Sequence, residues 1–386
     1  MGCTSPAFLG TLEGEGQGQG QSGGNLPDDA LPSWVPTAGQ WAAISNNTLS
    51  DVDPCPQYPC SWSNVAGQAG VLDRWNGNAL AYGEGELGSL VAWGGSGSSG
   101  YNGNELYTYD IAERTWRRRT EPVAEPEVTD PEHCELQDGS PAPVQNNELL
   151  EYHPGTNSFV VLSGAVNLRG DLGGVGHMFD LSTDTWRRTP DLPIGLGLGS
   201  TAYDSGRDVI WALLQGDALF AFDPKGGPDA DARYGSVTSF GETVPSGNHT
   251  VAAIDPRHDL YVVLDVIGAG GLLVKDLGDP AAAPVMVPSE GPLPTESGGL
   301  EWVPAAERFY WYSGEGNDIR TLTPPGAGDD WRTEPWVWAT VKVRGGPPPG
   351  PRGTPIYGAW RWVPAIESFV ICNDVEEPVF AFRPEI

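Results

Sequence analysis

The sequence predicts an all-β chain folded as a six-bladed β-propeller, and three observations carry that prediction. A unit of strand, tight turn and strongly apolar strand recurs six times. The chain holds 53 Gly and 36 Pro, residues that punctuate turns, and lacks long Ala/Leu/Glu/Lys stretches. The sixth unit stops one strand short at Ile386, and a segment that fits the gap lies near the other end. A length of 386 residues would ordinarily suggest two or three domains, but a closed ring of blades counts as one.

The six copies are ALAYGEGELGSLVAWGG, LLEYHPGTNSFVVLSGA, STAYDSGRDVIWALLQG, VAAIDPRHDLYVVLDV, LEWVPAAERFYWYSG and WRWVPAIESFVICND. Aligned on the last apolar residue before the turn, they bring Tyr82, Tyr152, Tyr203, Ile254, Val303 and Val363 into register. The steps are 70, 51, 51, 49 and 60 residues; the short ones match one blade and the long ones imply insertions. Each turn carries Gly, Pro, Asp or Asn, which suits a tight hairpin. Each following strand is β-branched and aromatic, as a strand buried on both faces should be.

Third strands follow at ELYTYD, GHMFDL, ALFAFD, GLLVKD, DIRTL and VFAFRP. Fourth strands are expected at Trp116, Trp186, around Val237, around Val285 and at Trp336. The sixth copy lacks one, and GQWAAIS (Gly39 to Ser45) is expected to supply it, with Trp41 in the role of Trp116 and Trp186. Such closure removes the free sheet edges that promote aggregation. Residues 1–33 are too rich in Gly, Gln and acidic residues to bury a core, so they read as a flexible tether, and residues 34–386 form the propeller.

Blades one and two run VAWGG–NELYTYDIAERTW and VVLSG–GHMFDLSTDTW. This resembles the kelch motif, in which Gly-Gly ends the second strand and Tyr/Phe-Asp, then Trp, mark the third and fourth. Residues 34–386 are similar to the kelch-type, galactose-oxidase-like central propeller of bacterial extracellular proteins. Blade three keeps only FAFDP, and blade four lacks both Gly-Gly and Trp. The motif implies a fold rather than a chemistry.

The formal net charge is -30, from 51 acidic and 21 basic residues. Such a surface repels phosphate backbones, so nucleic acid is not an expected partner. No apolar run approaches the ~20 residues that span a bilayer. Membrane association is expected only through a lipid on Cys3, because Gly2-Cys3 and the tether after it resemble a processed bacterial lipoprotein. An extracellular or outer-surface location follows, and there Cys55 and Cys60, in DPCPQYPCSW, are expected to pair. No pairing is assigned to Cys134 or Cys372.

Enzymatic signals are sparse, and the non-catalytic reading is preferred. There is no GxSxG and no HExxH. The resemblance would imply a copper oxidase using two His, two Tyr and a Cys. His133, His153, His177, His249 and His258 are scattered, and no Cys stands near a Tyr in the needed arrangement. No cofactor is predicted; calcium is a secondary alternative at Asp51-Val52-Asp53 or Asp130-Pro131-Glu132.

Loop lengths point to a working face. Loops joining strands one to two are uniformly short, whereas those joining two to three, or successive blades, are long. Function concentrates in loops held by a rigid frame. The long-loop face is therefore expected to present Trp62, Trp75, Tyr101, Asn104 and Arg169, with Asn147, Asn248 and His249 near the channel mouth. Aromatic and Asn/Arg residues together suit a protein or glycan partner. The preferred function is a surface-tethered binding or assembly module; the alternatives are the copper oxidase and a structural subunit of a surface appendage.

Overall fold

The computed structural model describes residues 30–386 except 56, 58–66, 74, 96–100, 124–127, 131–134, 167–171, 193–197, 215–218, 241–246 and 248; at 128–130, 165, 166 and 172–175 it describes the backbone alone. Six antiparallel sheets form six blades of a propeller. From the inner strand outwards, blade one is Ala79–Ala81, Ser89–Ala92, Tyr107–Asp110 and Thr115–Arg118. Blade two is Leu150–His153, Ser158–Val166, Leu172–Asp180 and Thr185–Arg188. The inner strands of blades three, four and five are Gly199–Asp204, Val251–Asp255 and Gly299–Val303. Their outer strands are Ser236–Phe240, Val285–Met286 and Trp336–Thr340.

Blade six is closed from the other end of the chain. Its inner strands are Arg361–Val363, Ser368–Ile371 and Phe380–Arg383, and its outer strand is Gln40–Ala43. Trp41 lies across from Phe382, as Trp116 lies across from Tyr109 and Trp186 across from Phe179. The Trp41 ring packs 5.1 Å from Phe382 and 5.4 Å from Tyr312 of blade five. The closing strand thus contributes a ladder and an aromatic plug to the seam with the neighbouring blade.

The core is divided among the seams. Six apolar clusters occupy the described residues, each between two adjacent blades. Tyr310 and Trp360 bridge blades five and six, for example, and Trp211 and Tyr261 lie between three and four. No blade holds a core of its own, so each is stable only against its neighbours. No helix among the described residues is long and apolar enough to cross a membrane.

The hydrogen-bonded register corrects the alignment of the copies. The last pair before the turn is Ala81↔Ser89, His153↔Ser158, Asp204↔Val209, Asp255↔Leu260, Val303↔Arg308 and Val363↔Ser368. Tyr152, Tyr203 and Ile254 therefore stand one residue before the strand end that Val303 and Val363 mark, and Tyr82 stands one residue after it. The cause is that a polar side chain ends the strand in blades two to four and ties down the turn that follows. Asp204 Oδ1 accepts from the Gly206 amide, Asp255 Oδ1 from Arg257 and His153 Nδ1 from Thr156. These side chains are buried, so they belong to the strand although they look like turn residues.

Candidate functional site

With the register corrected, two positions before the end of each inner strand stand Ala79, Glu151, Ala202, Ala253, Glu301 and Arg361. They form one level around the central channel: three alanines, two glutamates and an arginine. The alanines leave room, and the charged residues fill part of it. A cavity of about 310 Å³ results, lined by Glu151, Ala202, Ala253, Glu301 and Arg361. Tyr82, Tyr203 and Trp302 stand at its rim with Pro256 and Pro304 of the short turns, so the cavity opens on the short-turn face.

Arg361 organises the floor. Its Nε and Nη2 donate to the Asn78 carbonyl at 2.9 and 2.7 Å, and Nη2 also reaches the Leu150 carbonyl at 3.3 Å. Nη1 donates to Glu301 Oε1 at 2.9 Å and lies 3.9 Å from Glu151 Oε2. One guanidinium therefore spans blades one, two, five and six. Glu151 spends its other oxygen on the Tyr152 amide. Deeper still, buried Glu148 accepts from the Ala252 amide at 2.6 Å.

Burial raises the carboxyl of Glu301 to about 7, against the lowering effect of Arg361. Burial likewise holds Glu148 well above the ordinary carboxylate range. Tyr82 is 53% exposed, yet burial, then Glu301 and Glu151, push its hydroxyl up. The two facts agree if the ring stands in a solvent-filled channel with protein on every side.

At the opposite end the backbones of neighbouring blades approach closely. Parallel bridges join Asn76 to Asn147 and Glu148 to Ser200. A Cβ on Gly77 would lie 2.7 Å from the Asn147 carbonyl and 3.1 Å from the Gly358 amide, so only glycine lets three segments meet there.

The expected residues of the long-loop face are placed as follows. Tyr101 and Asn104 are buried, a correction to their expected exposure. Tyr101 donates to Glu105 Oε1 at 2.6 Å, and Asn104 bonds Ser140 and the Val123 amide, so both stitch their loop to the blade. Asn147 is buried beside Asn76, a correction to its expected exposure. Trp75 is partly buried against the seam of blades four and five. His249 is half-buried, with Nδ1 2.6 Å from the Tyr357 hydroxyl. Trp62, Arg169, Asn248, Cys3, Cys60 and Cys134 lie outside the described residues. Asp51 Oδ2 accepts from Thr48 and Asp53 Oδ1 from the Cys55 amide; Pro131 and Glu132 lie outside the described residues. Among the described residues, no group of three or more His, Cys, Asp or Glu is arranged to hold a metal.

Glu151, Glu301 and Arg361 escaped notice in the sequence. The available signal was a charged residue inside an apolar inner strand, in LLEYH, LEWV and WRWV.

No family model matches the chain, and no curated protein matches it. Among solved structures it is similar to a protein of unknown function from Bacteroides thetaiotaomicron VPI-5482, at 10% identity and TM-score 0.48, over 88% of this chain and 74% of that one. It is also similar to YjhT, at 13% identity and TM-score 0.42, over 64% of this chain and 81% of that one.

Proposed function

We propose that this chain is a recognition module whose ligand enters the central channel from the short-turn face. One observation carries the reading: a 310 Å³ cavity with a buried Arg–Glu pair on its floor and aromatic rings at its rim. Pockets of about this size, mostly apolar with a few convergent polar groups, are the usual form of small-ligand sites. The kelch-type signature of blades one and two and the Gly2-Cys3 tether support display outside a bacterial cell, with Cys55 paired to Cys60. Mass mapping of non-reduced peptides checks that pairing; free thiols at both would count against it and against export.

The channel assignment is tested by filling it. Ala253→Phe puts a ring where three alanines leave space. A thermal-shift screen of glycans, amino acids and short peptides should yield ligands of the parent that this variant loses while its own melting stays cooperative. Ligands that survive the filled channel and vanish with loop substitutions would move the site to the long-loop face.

A catalytic reading has one observation in its favour. Glu301, raised to about 7, stands with Glu151 on either side of the same Arg361 nitrogen, two carboxyls in one cavity. Turnover of a glycoside panel, abolished by Glu301→Gln, would establish it.

A further inference from the structure

The floor of the channel holds more acids than bases. Two carboxylates, Glu151 and Glu301, face one guanidinium. That guanidinium spends Nε and Nη2 on backbone carbonyls and offers only Nη1 to the acids. Glu301 takes it. Glu151 Oε2, at 3.9 Å, is too far for a hydrogen bond, although Glu151 is only 8% exposed and lines the cavity. That oxygen is held by charge alone, and its lone pairs are left to whatever enters the cavity.

The rim points the same way. Trp302 already carries a cation on its ring, the Arg257 guanidinium at 5.2 Å. Tyr82 and Tyr203 present further aromatic surface beside it. Aromatic faces above carboxylates attract ammonium and guanidinium groups and repel anions. The chain's net charge of -30 adds a long-range field of the same sign.

We propose that the channel's ligand is a small organic cation, with its ammonium or guanidinium group seated between Glu151 and Glu301 and its stem against the rim rings. The proposal rests on the channel reading above and deepens it. The cation donates to Glu151 Oε2 and to the second oxygen of Glu301, which leaves the Arg361 bond intact. Glu301 is surrounded by Arg361, Glu151, Glu148 and Tyr82, and its carboxyl is raised by burial to about 7. Seating a cation beside it drives the proton off, so binding releases protons near neutral pH and tightens as pH rises from about 6 to 8.

Two matched probe pairs test this by Trp fluorescence or calorimetry. N-acetyl-lysine methylamide is set against N-acetyl-norleucine methylamide, and glucosamine against N-acetylglucosamine. The first pair stands for a side chain on a peptide, the second for a free amine. The charged member of at least one pair should bind about tenfold tighter than its neutral partner, and which pair does so tells the source. Glu301→Gln and Glu151→Gln should each remove most of that preference, and Glu301→Gln should also abolish the rise with pH. Neutral members that bind as well as charged ones, and are lost in Ala253→Phe, would overturn the cation and leave the channel reading standing. Absence of saturable binding by both charged probes would overturn the cation too. Only a ligand indifferent to Ala253→Phe removes the channel reading itself.

Discussion

The two ends of the ring differ in how their loops are used. On the short-turn face, a seven-residue turn ends the hairpin of blade one and four-residue turns end the other five, leaving the channel open above Glu151, Glu301 and Arg361. On the long-loop face, described loop residues turn inward. Tyr101 and Asn104 are buried, Trp75 reaches the seam of blades four and five, and backbone bridges at Asn147 and Glu148 draw adjacent blades together. The described residues of the long loops pack the ring, and short turns give access to it. The difference teaches that loop length alone does not mark a binding face: a long loop costs little entropy, and the chain has used that freedom for burial.

The largest effect that would break this comparison lies at Arg361. Its guanidinium holds four blades through Asn78, Leu150 and Glu301. Arg361→Met should destabilise by about 3–5 kcal/mol, because it leaves carboxylates buried without a counter-charge. Denaturant melts measure this. A loss below ~1 kcal/mol would mean that the cluster is solvated and the channel floor is loosely built.

A pH series sharpens the electrostatic side. Burial keeps Glu301 protonated to about 7 in the folded state, whereas its ordinary value is 4.5. Between those values the folded chain binds more protons than the unfolded one, so stability falls as pH rises across the window. The shift corresponds to at most about 3 kcal/mol. Glu301→Gln should flatten the slope, leaving what Glu148 contributes. Parallel pH profiles for parent and variant would show that Glu301 does not titrate in this range.

Aromatic truncations at the two ends compare the faces directly. Trp75 packs on an apolar seam, and Trp75→Ala should cost about 2 kcal/mol. Tyr82 is 53% exposed, and Tyr82→Ala should cost no more than about 0.5 kcal/mol while weakening any channel ligand. The reverse order of melting temperatures would invert the assignment of the faces.

The propeller was legible because its signals are local and repeated. Trp41, Trp116 and Trp186 mark fourth strands wherever they fall, and the closing strand expected over 39–45 is Gln40–Ala43. The site was hidden by a single residue of register. Alignment on the last apolar residue treated His153, Asp204 and Asp255 as turn, whereas each is a buried strand end whose side chain holds the turn's amides. That slip left Glu301 and Arg361 at one level but set Glu151 one position away from them, so the three did not line up. Nor could loop length reveal direction: Tyr101 and Asn104 read as exposed anchors because nothing local says that Glu105 and Ser140 wait to bind them.

The smallest effect tests how far the short turns are fixed by backbone alone. The fourth turn residue is left-handed in five blades, at Asn157, Asp208, Asp259, Glu307 and Glu367, with φ between 44° and 59°. Asn and Asp tolerate that region better than Glu does, because their short side chains bond locally. Glu307 makes only an exposed pair with Arg257, at 3.3 Å and with its own side chain 68% exposed. Such a pair is worth little. Glu367 is unsuitable for the test, since its carboxylate pairs with the buried guanidinium of Arg383. Glu307→Asn should therefore stabilise by about 0.5 kcal/mol, with cation binding unchanged, and the measurement is a denaturant midpoint at constant slope. A destabilised variant would show that the pair with Arg257 matters more than the turn's backbone, and that the rim of the channel is held by charge as well as by chain geometry.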